Sequence, residues 1–261
     1  MARVIAIANH KGGSGKTTTA INLSAGLQRH GYSVLVVDLD SQANTSDSLR
    51  AAPDAATTYD MLTRMAAPEP CHYIQASEGE PALDLIPGCA DLDALPGTLI
   101  HEGDAFRLAR LLEEYSDYDF IVIDTPPALS ILTLSPLIAA DDLILPMEPA
   151  YMETAGLAKM ARTVATVAAS RTKPLRSTVL LVKYDGRKGL HRLTSDSIKA
   201  GGASVFDTKI RQCLALAEAP GFKLDIFRYN PTCNGAKDYE ALTLEYLRQL
   251  EIPRKAGHRT R

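Results

Sequence analysis

The stretch ANHKGGSGKTTTAIN, residues 8–22, decides how the rest of the chain reads. It follows a short apolar run rich in β-branched residues, RVIAIAN (3–9). It then enters a helical pattern in which Ala20, Leu23, Ser24 and Leu27 recur at spacings of three and four. A glycine loop between a strand and a helix gathers backbone N–H groups around one point, at the positive end of the helix dipole. That geometry holds phosphate. Gly12, Gly13 and Gly15 let the backbone approach a ligand without Cβ clashes. Lys16 is placed to reach the β- and γ-phosphates, and the Thr17 hydroxyl to take Mg²⁺. One position departs from the pattern G-x-x-x-x-G-K-[ST]: His10 stands where the first glycine belongs, and a second lysine, Lys11, follows it.

Gly31 ends the helix, and SVLVVDLD (33–40) reads as a second buried strand, so the first forty residues form one right-handed βαβ unit. The alternation continues. Strands are expected at 82–88, 120–127, 142–149 and 177–185, and helices at 104–114, 151–169 and 236–250. Continuous apolar strands, rather than alternating ones, imply a mostly parallel twisted sheet with helices on both faces, an α/β fold. Residues 51–80 read as an irregular surface excursion. One domain is expected over 1–252, followed by a basic, mobile tail over 253–261.

Three acids end the apolar strands: Asp38 and Asp40 after SVLVV, and Asp124 after FIVI. Ligands in open α/β sheets bind at the carboxyl edge, and a nucleotide-bound Mg²⁺ needs a carboxylate there, a role that suits Asp124. A single Asp at a strand end is as readily a cap; three beside a phosphate loop are harder to explain that way.

The 261 residues, 46% of them hydrophobic, can bury a large core, and there is no membrane span or secretory signal layout. Cys71, Cys89, Cys213 and Cys233 are too far apart for C-x-x-C spacing and read as free thiols of a reducing cytoplasm. Charge is segregated. Residues 1–170 carry 10 of the 28 Lys+Arg and 22 of the 31 Asp+Glu, net −12, which leaves residues 171–261 at net +9. That asymmetry suggests a polyanion partner for the basic part, or else a solvated surface whose charges happen to separate.

KGGSGKTT, VLVVDLDSQANTS and FIVIDTPP together resemble the deviant Walker-A ATPases of the ParA/MinD superfamily. The block from LLVKYDGR to GAKDYEAL is similar to the ParA branch, and the likeness runs from residue 3 to about 250. The resemblance implies a single P-loop NTPase domain that uses ATP and Mg²⁺ and forms an ATP-sandwiched homodimer. In it Lys11 crosses to the partner's phosphates, and Lys11, Lys16 and Asp40 are the catalytic groups, with Asp40 positioning the attacking water. Ser14 lies in the cradle, where the family often has valine. Thr18 contacts the α-phosphate, Asp38 lies in the switch near Mg²⁺, and Asp124 holds a metal-bound water. Asn230 and Pro231, in RYNPTCNG, are the implied adenine contacts.

The same resemblance implies a DNA-partitioning ATPase of plasmid or chromosome, cytoplasmic and nucleoid-associated. It would bind double-stranded DNA nonspecifically and meet a ParB-like adaptor or centromere-binding protein. The expected DNA contacts are Lys183, Arg187, Lys188, Arg192, Lys199, Lys209, Arg211 and Lys223, with Arg187 and Arg211 favoured. No segment before the first strand can form a helix-turn-helix, which argues against sequence-specific repression. Other classes share the loop. A ParA-like ATPase could position a non-DNA cargo. A MinD-like membrane cycler needs an apolar C-terminal helix that RKAGHRTR lacks. A nitrogenase-type reductase needs cysteines that IDTPPALSILTL lacks. An amide ligase would leave the basic segment without a use.

Overall fold

The computed structural model describes residues 1–74, 81–99, 101–149, 153–171 and 173–252. Its strands are β1 (Arg3–Ile7), β2 (Val34–Asp38), β3 (Cys71–Ile74), β4 (Leu83–Ile86), β5 (Phe120–Asp124), β6 (Asp142–Met147) and β7 (Arg176–Leu181). They form one sheet in the order β3-β4-β2-β5-β1-β6-β7. All pairings are parallel except that of β3 with β4.

The continuous apolar runs are explained by two cores, one on each face. Successive strand residues point to opposite sides. Val4 and Ala6 of β1 join Leu35, Val37, Ile121 and Ile123 in one layer. Ile5 and Ile7 join Val34, Val36, Phe120 and Val122 in the other. The first layer is closed by helices Thr58–Arg64, Arg107–Leu112 and Ile131–Ala139, through Met61, Leu108, Leu111, Leu132 and Leu137. The second is closed by Lys16–Arg29 and Asn234–Gln249, through Leu23, Leu27, Tyr239, Leu242 and Tyr246.

The expectation for 51–80 fails in part. Thr57 and Asp60 form a reciprocal capping box that opens helix Thr58–Arg64, and β3 follows as an antiparallel edge. Residues 75–80 and the expected tail 253–261 lie outside the described residues. Helices Asn44–Ser48, Ile131–Ala139 and Gly189–Ala200 were not expected. The strand expected at 177–185 stops at Leu181. Among the described residues no helix is long and apolar enough to cross a membrane. The parallel order brings the residues that follow β1, β2, β4, β5 and β7 to one carboxyl edge, where the site is built.

Candidate functional site

The glycine loop is tied to a neighbouring strand as it leaves β1. The Asn9 amide donates to Pro146 O at 2.7 Å, and Asn9 Oδ1 accepts from Lys11 N at 3.1 Å, so the loop's start is fixed to β6. Gly13 and Gly15 have φ of 68° and 87°, the left-handed region where a side chain is costly. Helix Lys16–Arg29 starts directly after Gly15 with no side-chain cap, so its first N–H groups open onto the loop. Ser14 Oγ is buried there without a hydrogen-bond partner. Lys16 is buried, and burial lowers its pKa against the raising effect of Asp124 and Asp40. Lys11 lies exposed on the rim. The pKa of His10 is lowered by burial and then by Lys159 and Lys16, and its ring leans on Thr163 of helix Glu153–Ala168 at 3.5 Å.

Asp38 and Asp124 are register partners on adjacent strands, so their carboxyls face each other at the sheet's edge. Asp124 Oδ2 accepts from Thr17 Oγ1 and Thr45 Oγ1, each at 2.7 Å, whereas its Oδ1 is buried with no partner. Burial pushes Asp124 up to about 6, against the pull of the two threonines and Lys16. Asp38 accepts from Ser46 N (2.9 Å) and Ser46 Oγ (2.6 Å) on Oδ2, and from Asp40 N (3.1 Å) on Oδ1. Burial first, and the charge of Asp124 second, push Asp38 up to about 7. Both oxygens of Asp38 thus hold the loop that leaves β2 and the start of helix Asn44–Ser48. Asp40 lies on that loop, buried, with Oδ1 accepting from Gln42 N at 3.0 Å.

The donor set suits magnesium bound to a nucleotide. The partnerless Oδ1 of Asp124 lies beside the Thr17 hydroxyl, all hard oxygen. No group of three or more His, Cys, Asp or Glu among the described residues forms a metal cage. Mg²⁺ is commonly held by one or two carboxylates, with phosphate oxygens and water completing its shell.

A cavity of about 450 Å³ opens beside the loop, its wall including Gly15, Thr18, Val182, Ile210, Cys213 and Leu214. Asn230 and Pro231, the implied adenine contacts, do not line it. They form the turn after helix Ile226–Tyr229, where Asn230 O accepts from Cys233 N. The eight expected DNA contacts divide. Lys183 donates to Gly13 O at 2.9 Å, over the glycine loop. Arg211, one of the two favoured, walls the cavity and is clamped to Asp238 at 2.6 Å. Lys223 pairs with Asp47 at 2.8 Å, beside the 39–46 loop. These three therefore belong to the nucleotide edge or its loop. Arg187 pairs with Asp185 at 3.0 Å, and Lys209 lies over the Tyr184 ring. Lys188 precedes helix Gly189–Ala200, which carries Arg192 and Lys199 on the same face. The sequence reading missed Asn9, Thr45 and Ser46; only the S/T-rich run after Asp40 hinted at the last two.

Residues 2–177 match a family described as an AAA domain (AAA_31). The chain is 36% identical over 251 residues to the chromosome-partitioning ATPase Soj of Treponema pallidum, covering 94% of this chain and 97% of that one. It is 35% identical over 256 residues to the chromosome partitioning protein ParA of Caulobacter vibrioides, covering 94% of each. A cobyrinic acid a,c-diamide synthase from Mycobacterium smegmatis, solved with ADP and magnesium, matches with a TM-score of 0.79 at 28% identity over 96% of each chain.

Proposed function

The chain belongs to the ParA/MinD-type ATPases, and from that premise we propose that it partitions DNA: an ATP-bound homodimer holds DNA nonspecifically and lets go when an adaptor of the ParB kind stimulates hydrolysis. The observation that carries this reading is the pair of lysines around one glycine loop, Lys16 buried within it and Lys11 exposed on its rim.

The loop N–H groups and Lys16 bind the phosphates, while Thr18 and the wall at 210–214 take the remainder of the nucleotide. Thr17 and Asp124 would hold magnesium, which would supply positive charge to the phosphate oxygens. Asp40 orients the attacking water and takes its proton, and Asp38 holds the loop that carries Asp40. Lys11 reaches the phosphates of a second subunit, so it neutralises them only when two subunits meet. ATP then acts as a bridge, and hydrolysis removes it.

DNA retardation separates this reading from its rivals. The parent should retain DNA with a slowly hydrolysed ATP analogue and release it with ADP. Lys11→Ala should bind the analogue yet sediment as a monomer and retain no DNA, whereas Lys16→Ala should lose nucleotide as well. ATP hydrolysis with no DNA retention under any nucleotide would favour a non-DNA cargo or a metabolic role such as the synthase's. A Lys11→Ala protein that dimerises like the parent would remove the bridge.

A further inference from the structure

We propose that Lys183, two residues beyond β7, is a positioning residue of the phosphate site: its ammonium grips the Gly13 carbonyl of the glycine loop and aims the Ser14 N–H at the nucleotide's phosphates. The inference rests on the ATPase reading above and deepens it.

The approach of β7 to the loop comes first. Val182 follows β7, and its methyl carbon lies 3.5 Å from where a Cβ on Gly15 would stand. Lys183 is next, with φ of 51°, a left-handed conformation uncommon for a residue other than glycine. The chain then continues on another partner, with Tyr184 N donating to Ile210 O at 3.0 Å. The left-handed residue thus sits between two anchored neighbours, and its side chain crosses to the loop, where Nζ donates to Gly13 O at 2.9 Å.

Within one trans peptide the carbonyl and the following N–H point in opposite directions. The oxygen held by Lys183 and the N–H of Ser14 belong to the same peptide. Fixing that oxygen on the Lys183 ammonium leaves the Ser14 N–H facing away from Lys183, and the cation polarises that N–H as a donor. The Ser14 hydroxyl, buried and partnerless, marks the same region as one built for acceptors that the protein does not supply. Lys16 Nζ, 3.5 Å from Lys11 O, is the nearest parallel on the loop's other arm. Lys183 therefore leaves the set of DNA contacts and joins the nucleotide site.

The test measures ADP and a slowly hydrolysed ATP analogue bound to the parent, Lys183→Met and Lys183→Arg, together with each protein's nucleotide-free melting temperature. Lys183→Met keeps the stem and removes the charge. It should bind both nucleotides about tenfold more weakly, the scale of one charge-assisted hydrogen bond, with an unchanged nucleotide-free melting temperature. Lys183→Arg should recover most of the loss. Parent-like ADP affinity in Lys183→Met overturns the proposal, as does Lys183→Arg binding as weakly as Lys183→Met. Failure of the parent to bind ADP would sink the nucleotide reading itself, a separate result.

Discussion

Asp38 and Asp124 face each other across β2 and β5 with little access to water, and burial favours the neutral form of each. Their hydrogen bonds divide the work: Asp38 spends both oxygens on the 39–46 loop, and Asp124 keeps one oxygen without a partner. Asp40, beyond the strand end, is the remaining acid of the cluster and the one assigned to water. Its Oδ1 also closes a turn onto Gln42 N, so Asp40→Ala would remove both a base and a turn. Asp40→Asn keeps an oxygen for Gln42 and removes the basicity. Both variants should lower phosphate release about 100-fold if Asp40 takes the proton. Both should also titrate nucleotide like the parent, because Lys16 and Thr17 are untouched. Unchanged turnover in Asp40→Asn would take proton transfer away from this residue. Lys16, Thr17 and Asp124 were legible because a glycine loop's spacing is local and an acid ending a strand lands at a known edge. Thr45 and Ser46 were not, because a carboxyl's partners depend on how a loop folds back.

The loop bearing Asp40 packs against a neighbouring element, the end of β4, and that approach is sterically tight. A Cβ on Gly88 would stand 2.9 Å from Asp40 O and 3.1 Å from Asp38 Cγ, and Gly88 N donates to Ser46 Oγ at 2.8 Å. Backbone cannot yield there as a flexible side-chain end could. Gly88→Ala should therefore destabilise the nucleotide-free protein by about 1–3 kcal/mol through overpacking, and it should also slow hydrolysis by displacing Asp40. Gly12→Ala, with open space around its Cβ, should melt like the parent. Thermal unfolding of the two variants decides the point, and equal melting temperatures would show that β4 can retreat. Element reading succeeded where a run was long and apolar, as in β1, β2 and β5 with the helix Lys16–Arg29. It failed where the element was short or its period masked. Helix Asn44–Ser48 is wholly polar, β3 has four residues, and Ile131–Ala139 is an apolar run with Pro136 inside. The Thr57–Asp60 capping box was a visible signal that went unread.

At the scale of the whole molecule, charge segregation along the chain does not translate directly into one basic face. Composition could reveal the excess of cations after residue 170, but not which of them fold against acids. Arg211 is committed to Asp238, Lys223 to Asp47, and Arg187 to Asp185, whose carboxyl is held down to about 2, chiefly by its hydrogen bond from that arginine. Paired cations attract phosphate less than solitary ones. Lys183 apart, what remains is Lys209 over the Tyr184 ring and a row on helix Gly189–Ala200: Lys188 at its start, Arg192 four residues on, and Lys199 seven beyond that. Residues so spaced share a face. Arg192 donates to Gly186 O, a neutral partner, and Lys199 holds the exposed Asp207 loosely at 3.4 Å. If this row meets DNA, Arg192→Glu with Lys199→Glu should weaken retention on any sequence. The dependence on log salt should flatten by roughly one unit for each phosphate no longer neutralised. ATP-dependent sedimentation as a dimer should persist, since neither residue lines the nucleotide cavity. Because a dimer presents the row twice, the weakening should exceed that expected of one monomer's row, through effective concentration. Arg211→Glu supplies the contrast: it should impair nucleotide binding first, by placing a carboxylate in the cavity wall beside Asp238 in place of the guanidinium clamped to it, and DNA retention only in consequence. DNA affinity and salt slope unchanged in the double variant would place the face elsewhere on the molecule.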